Sequence, residues 1–285
     1  MPELPEVEIL ARHLAPRLRG RRIQDVHTAA ARVSRPTSAA DLRASLVGAT
    51  IAKVGRRAKY LVITTRPSGA PRRSVPLLIH LGMTGRVFLL PRHAPSPRHS
   101  AAWLDLGTEL LHYTDARRLG RITLDTSALG RLGPEPLAPE FTTARLRSAL
   151  SSSRQAIKIA LLDQSRIVGL GNIYAAESLH RARISPTTRC DRMRPDAWRR
   201  LHAAIRLTLN RALRLGSRLR LDFTGVRSID GLFYYGSSPD EAAVAVRERF
   251  RVYDRAGEAC LRCGERIRKI TQAGRTTCYC PVCQK

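Results

Sequence analysis

Cys260-Leu261-Arg262-Cys263, then sixteen residues, then Cys280-Pro281-Val282-Cys283: two tight Cys-x2-Cys knuckles share one short stretch. Each knuckle can present two thiolates to one point. Two knuckles complete a tetrahedral sulfur site, the closed geometry of structural zinc. One Zn2+ ion is therefore expected, held by Cys260, Cys263, Cys280 and Cys283. The chain between the knuckles must fold back on itself. Ala273-Gly274 supplies the turn and puts Arg275 near the tip of a β-hairpin, so residues 251–285 form one small module. Cys278, two residues before Cys280, spoils the symmetric spacing and reads as a non-ligand. Cys190 stands alone and reads as buried and inert. A tip arginine suits a phosphate or groove contact; taken alone, a solvated surface charge is the better reading of it.

The module belongs to a very basic chain. Its 285 residues carry 50 Lys+Arg against 23 Asp+Glu, a formal net charge of +27. Such a charge opposes compaction and favours a polyanionic partner, nucleic acid first. GC-rich codons are the other source of arginine. Lysine occurs only at Lys53, Lys59, Lys158, Lys269 and Lys285, which leaves 45 arginines. An ammonium and a guanidinium are not interchangeable, so lysines on an arginine background draw notice. No run of eighteen apolar residues implies a membrane helix. The start lacks the basic-then-apolar pattern of a signal peptide, and the cysteines have metal spacing. These features point to a reducing, cytoplasmic location. Nothing implies an obligate oligomer, so a monomer is expected.

Val7, Leu10, Leu14 and Leu18 recur at helical spacing. Pro5 suits a first turn, and Pro16 is expected to bend or end the helix. Glu3 then sits just before a helix N-terminus, whose positive end favours anions. From about residue 21 to 130 the pattern is mostly strand: Ile51–Val54, Tyr60–Thr64, Leu77–His80, Val87–Leu90, Trp103–Leu106 and Glu109–Tyr113, with a tight turn at Leu106-Gly107-Thr108. Short strands with frequent turns suggest a β-sandwich or barrel. Pro91–His99 reads as a surface loop, and Gly133-Pro134-Glu135-Pro136 with Pro139 as a linker. Residues 143–218 read as helical. Residues 219–250, punctuated by Gly225, Gly231 and Gly236, read as a mobile loop. The class is α+β, in three parts: 1–132, 133–250 and 251–285.

Two further stretches carry chemistry. Removal of Met1 would leave a secondary amine at Pro2 with a carboxylate beside it at Glu3. Most Met-Pro starts do nothing. An α-amino group, however, ordinarily titrates at about pH 7.7–8.0 and is partly neutral at physiological pH, hence nucleophilic. A secondary amine can trap a carbonyl-like carbon as an iminium ion, and a neighbouring carboxylate can shuttle the protons. Gly169-Leu170-Gly171-Asn172 lies between helical stretches. Its glycines permit a sharp turn and Asn172 can open the next helix, a favourable seat for phosphate that Lys158 could also reach. A plain interhelical turn is the other reading.

Taken in order, the blocks Pro2-Glu3-Leu4-Pro5-Glu6-Val7-Glu8, Arg56-Arg57-Ala58-Lys59-Tyr60, His80-Leu81-Gly82-Met83-Thr84-Gly85, Tyr113-Thr114-Asp115-Ala116-Arg117-Arg118-Leu119-Gly120, Gly133-Pro134-Glu135-Pro136-Leu137, the Gly169–Ala175 turn and the cysteine module resemble the formamidopyrimidine-DNA glycosylase family, relatives of endonuclease VIII. The resemblance covers nearly the whole chain. It implies an N-terminal β-sandwich flanked by helices, a helix–two-turn–helix domain with a lesion-capping loop, and a zinc β-hairpin. It implies double-stranded DNA with oxidised bases or abasic sites as partner. By position, Pro2 would attack the sugar C1′, Glu3 would be the acid and base, and Lys59 would contact the phosphate beside the lesion. Lys158, Asn172 and Arg275 would hold the kinked backbone, with Arg275 counted among the catalytic residues beside Pro2, Glu3 and Lys59. Met83, Arg117 and Leu119 would fill the gap left by a flipped nucleotide, with His80 and Arg118 beside them on DNA. Apolar wedges with arginine suit that task, although Met83 taken alone could be a β-core methionine.

The implied activity is a glycosylase and abasic-site lyase for oxidised purines such as 8-oxoguanine and formamidopyrimidines, ending in β,δ-elimination. Departures from the family pattern bear on substrate choice. Leu119 stands where phenylalanine is usual and cannot stack on a base. Ala116 replaces a usual proline. Residues 216–250 match poorly. Two rivals follow: the same chemistry on oxidised pyrimidines, and a zinc-ribbon DNA-binding protein without catalysis, which would leave Pro2-Glu3 and Lys59 unexplained.

Overall fold

The computed structural model describes residues 2–29, 31–68, 74–217 and 250–285. The loop expected at 219–250 lies outside the described residues except for Phe250. Two compact units emerge, one ending at Gly130 and one running from Arg131 to Leu215 and including 250–285.

The first unit holds α1 (Leu4–Leu18), β1 (Asp25–Thr28), α2 (Ala31–Ser34), α3 (Ala39–Leu46), β2 (Thr50–Arg57), β3 (Tyr60–Arg66), β4 (Val75–His80), β5 (Arg86–Pro91), β6 (Ser100–Asp105), β7 (Glu109–Thr114), β8 (Arg121–Thr123) and α4 (Ser127–Gly130). The strands form two four-stranded sheets, ordered β1-β6-β7-β5 and β2-β3-β4-β8. One apolar cluster joins them: Ile51, Leu61, Ile63, Leu77 and Ile79 from one sheet, Val26, Val87, Leu104 and Leu111 from the other. This is the expected β-sandwich. Val7, Leu10, Leu14 and Leu18 of α1 enter the same core fully buried. Each buried leucine contributes about 1.5–3 kcal/mol. That face fixes α1, and with it the position of Pro2 and Glu3. Pro16 lies in the last turn and the helix stops two residues later, as a missing N–H donor requires.

The helices α2 and α3 and the strands β1 and β8 fall in a stretch expected to be mostly strand, where the sequence pattern does not resolve them. α3 carries a capping box in which the Ser38 hydroxyl accepts from the Asp41 N–H at 3.0 Å. Only Leu42 and Leu46 of this helix are buried, so its apolar periodicity is faint.

The second unit holds α5 (Thr143–Leu150), α6 (Ile157–Leu162), α7 (Asn172–Ala182) and α8 (Pro195–Gly216), then β9 (Arg268–Gln272) paired antiparallel with β10 (Arg275–Tyr279). Ala273 and Gly274, at φ 47° and 71°, make the hairpin turn where the sequence placed it. The connection between α6 and α7 is the expected sharp turn, with Gly169 at φ 81°. Among the described residues no helix is long and apolar enough to cross a membrane.

Candidate active site and nucleic-acid interface

Glu3 occupies the N-cap of α1, and its backbone N–H donates to the Glu6 carboxylate at 3.0 Å as half of a reciprocal capping box. Glu3 is only 1 % exposed, and Pro2 beside it is buried. The Glu3 carboxylate, withdrawn from water, accepts from the Glu6 backbone N–H as the other half of that box.

Lys59 sits in the two-residue turn between β2 and β3, where Ala58 takes φ 54°. Arg56 ties that turn to α1. Its Nε donates to Glu8 at 2.9 Å and its Nη1 to the Ala58 carbonyl at 2.9 Å. Glu8 also accepts from Arg12 at 2.8 Å. Burial raises the Glu8 proton affinity, but the hydrogen bonds and charges of Arg12 and Arg56 outweigh it and hold the carboxyl below its usual range. One ion-paired carboxylate thus couples the helix carrying Pro2-Glu3 to the turn carrying Lys59.

Tyr60 and His80 face each other across β3 and β4, with ring centroids 4.9 Å apart. Burial, then the charges of Lys59 and Arg121, push His80 down to about 4 against an opposing pull from Asp115. Its Nδ1 accepts from the Gly82 N–H at 3.2 Å, so the neutral ring carries its proton on Nε2.

The loop after β4 carries Met83 and the loop after β7 carries Arg117, Arg118 and Leu119. All four are exposed, Met83 at 43 % and Leu119 at 44 %. Met83 is therefore not a core methionine. Arg117 Nη1 lies 3.5 Å from Met83 Sδ, which brings two of the expected wedge residues together. Asp115, 1 % exposed, holds the loops in register. It accepts from Thr84 Oγ1 at 2.6 Å, the Gly120 N–H at 2.7 Å, Tyr113 OH at 3.2 Å and the Arg117 N–H at 3.2 Å. Gly120 is required there, because a Cβ would stand 2.3 Å from the His80 carbonyl. Sequence pattern alone gives Asp115 no role; its one signal is an acidic residue inside an arginine-rich loop.

In the second unit Lys158 is 0 % exposed. Its ammonium donates to Asn172 Oδ1, at the first turn of α7, and to Thr277 Oγ1 on β10 at 2.7 Å. Asn172 Nδ2 donates to the Thr276 carbonyl at 2.9 Å. The structure thus joins Lys158 to Asn172 and links both to the strand that begins at exposed Arg275. Glu177, silent in the sequence, clamps the chain before the cysteine module. Its carboxylate accepts from the backbone N–H groups of Arg251, Val252 and Tyr253 at 2.9–3.0 Å. Burial raises its proton affinity and those three amides oppose the rise.

The sulfur atoms of Cys260, Cys263, Cys280 and Cys283 lie within 4.8 Å of one another. Individual separations are 3.5 Å for Cys263–Cys280, 3.5 Å for Cys263–Cys283 and 4.0 Å for Cys260–Cys283. Four thiolates at about 2.3 Å from a tetrahedral zinc ion stand about 3.8 Å apart, so the sulfur set fits one structural zinc. Cys278 is outside the cluster, buried on β10. Gln284 braces the second knuckle, accepting from the Cys280 N–H at 3.0 Å and donating to the Ile184 carbonyl at 2.9 Å. Cys190 is buried, and burial pushes its thiol up to about 11, which makes it a poor nucleophile.

Family models match three stretches of the chain. Residues 1–122 match the formamidopyrimidine-DNA glycosylase N-terminal domain, 132–222 the formamidopyrimidine-DNA glycosylase H2TH domain, and 257–285 the zinc finger found in FPG and IleRS. A formamidopyrimidine-DNA glycosylase from Xanthomonas campestris is 38 % identical over 291 residues, covering 100 % of both chains. The crystal structure of a Lactococcus lactis FPG mutant with a Fapy-dG containing DNA superposes with a TM-score of 0.85 at 32 % identity, covering 100 % of both chains. The wild-type Lactococcus lactis FPG with an oxidised pyrimidine containing DNA gives 0.84 at 31 % identity, again over 100 % of both.

Proposed function

We propose that this chain, which belongs to the formamidopyrimidine-DNA glycosylase family, is a base-excision-repair enzyme that removes oxidised purines from duplex DNA and then cleaves the abasic strand. The observation that carries the reading is the buried Glu3 carboxylate beside Pro2, fixed by α1 and coupled through Glu8 and Arg56 to the Lys59 turn.

A sugar carbon cannot be reached inside a stacked duplex, so the damaged nucleotide must flip out, at a cost of a few kcal/mol. Met83, Arg117 and Leu119, exposed on adjacent loops, fill the vacated space, and Arg118 and His80 lie beside them. With Met1 removed, the Pro2 nitrogen attacks C1′. The bond from C1′ to the base breaks and its electron pair leaves with the base, which takes up a proton. The Pro2 nitrogen passes its proton to Glu3, which gives it to the ring oxygen as the sugar opens to the iminium ion. Loss of the C2′ proton then expels the 3′ phosphate, and a second elimination expels the 5′ phosphate. Lys59 neutralises charge at the phosphate beside the lesion. Lys158, Asn172 and Arg275 grip the backbone, and the zinc ion holds the hairpin that presents Arg275. We assign the chain three parts, 1–132, 133–250 and 251–285, acting as a monomer in the cytoplasm on nucleoid DNA.

Leu119 favours a second reading, in which oxidised pyrimidines are also substrates, because a leucine wedge discriminates the opposite base less than an aromatic ring. A panel of duplexes, each with one lesion, tests both. Faster excision of 8-oxoguanine and formamidopyrimidine supports the purine reading; excision confined to oxidised pyrimidines overturns it.

A further inference from the structure

The DNA-facing residues of the second unit gather at the start of α7 and along β10. A different cationic feature lies at the other end of α7. There His180 and Arg181 of the last turn, Arg251 beside the Glu177 clamp, and Arg262 on the first cysteine knuckle line one cavity of about 100 Å³. That is several times the space one water molecule needs. His180 follows Asn172 by eight residues, roughly 12 Å along the helix axis.

Among the described residues, the guanidiniums of Arg181, Arg251 and Arg262 make no hydrogen bond and no ion pair. Glu177 is the carboxylate that acts on Arg181, yet its oxygens already accept from three backbone amides. Arg211 of α8 adds a fourth guanidinium to the field around Arg181. Burial, then Arg211 and Arg251, lower the proton affinity of Arg181. A helix C-terminus favours a single cation through its dipole. Three guanidiniums around one concavity exceed what that dipole can stabilise, and among the described residues no carboxylate is free to pair with them; the thiolate nearest the cavity, Cys260 at 3.6 Å from His180 Nε2, is committed to the zinc cluster. An anion in the cavity would relieve the repulsion, and the planar arginine fork matches two oxygens of a tetrahedral oxyanion.

We propose that this cavity is a second anion site, which binds a phosphoryl group, either free as inorganic phosphate or at the end of a nucleic-acid strand other than the duplex under repair. The site goes beyond the excision chemistry, and its test does not read excision.

The experiment uses the zinc-loaded protein saturated with a duplex carrying a tetrahydrofuran abasic analogue, so that the Lys158–Asn172 face is occupied. Inorganic phosphate is titrated into that complex by calorimetry at constant ionic strength. One equivalent should bind saturably. Arg181→Gln and Arg262→Gln should each weaken binding at least tenfold, and Arg192→Gln, outside the cavity, should leave it unchanged. Arg262 is exposed, so its variant decides the question even if Arg181→Gln fails to fold. No saturable phosphate binding, or equal affinity in all variants, overturns the site. A 5′-phosphorylated oligothymidylate that binds more tightly than phosphate, and loses the gain without its terminal phosphate, assigns the strand as source. Equal affinity for phosphate and the phosphorylated strand assigns the free ion.

Discussion

The ammonium of Lys158, sealed from solvent, donates to the side-chain oxygen of Asn172 and to the hydroxyl of Thr277, so one cation links α6, α7 and the zinc hairpin. On the proposed reading a DNA phosphate binds at the start of α7, beside this ammonium and Asn172, and gains from its charge.

Lys158→Met, which keeps the volume and removes the charge, should therefore weaken duplex binding about 10–100-fold, in line with roughly 1.5–3 kcal/mol for a charged hydrogen bond. The slope of log K against log salt should become shallower by about one. Fluorescence anisotropy between 50 and 200 mM salt measures both. Unchanged affinity would remove Lys158 from the interface.

His80 predicts a pH dependence of stability. Its folded value is about 4 against an ordinary 6.5, so the unfolded chain binds more protons between those limits. Stability is then fully present above pH 6.5, falls as pH drops toward about 4, and levels off below. His80→Asn should flatten that fall in a melting series across the window. An equally steep fall in the variant would assign the effect to other groups.

Leu119→Phe should restore an aromatic surface on an exposed loop. Base stacking contributes about 1–3 kcal/mol. The ratio of excision rates for 8-oxoguanine opposite cytosine and opposite adenine should change by roughly fivefold or more, with the abasic-site lyase rate held. Single-turnover kinetics on the two duplexes provide the check.

The zinc site should be a folding element of the hairpin. β9 and β10 bury few side chains, so the metal supplies much of their stability. A chelator, or Cys263→Ser, should abolish duplex binding and leave the α1 and sandwich core folded. Circular dichroism and zinc content, followed together, would show a loss of hairpin signal without global unfolding. Retained binding in the metal-free protein would contradict this role.

The parts legible in the sequence share a local signature. α1 announces itself through Val7, Leu10, Leu14 and Leu18, and the hairpin through cysteine spacing around Ala273-Gly274. The strands of the sandwich show in alternation, with edges off by a few residues. The illegible parts depend on partners distant in the chain. Asp115 acquires its role only when Thr84, 31 residues away, folds against it. Glu177 acquires its role from amides 74–76 residues on. α3 has a readable Ser38-x-x-Asp41 start, but with two buried leucines its apolar stripe is too thin to separate from the strands around it.

The most direct test of the account is borohydride trapping on a duplex with one 8-oxoguanine opposite cytosine, with mass mapping of the crosslinked peptide. A covalent adduct at the Pro2 nitrogen, on a chain that has lost Met1, is the expected result. An adduct on a lysine, or no adduct with either this duplex or an abasic one, would contradict the assignment of Pro2 as the nucleophile.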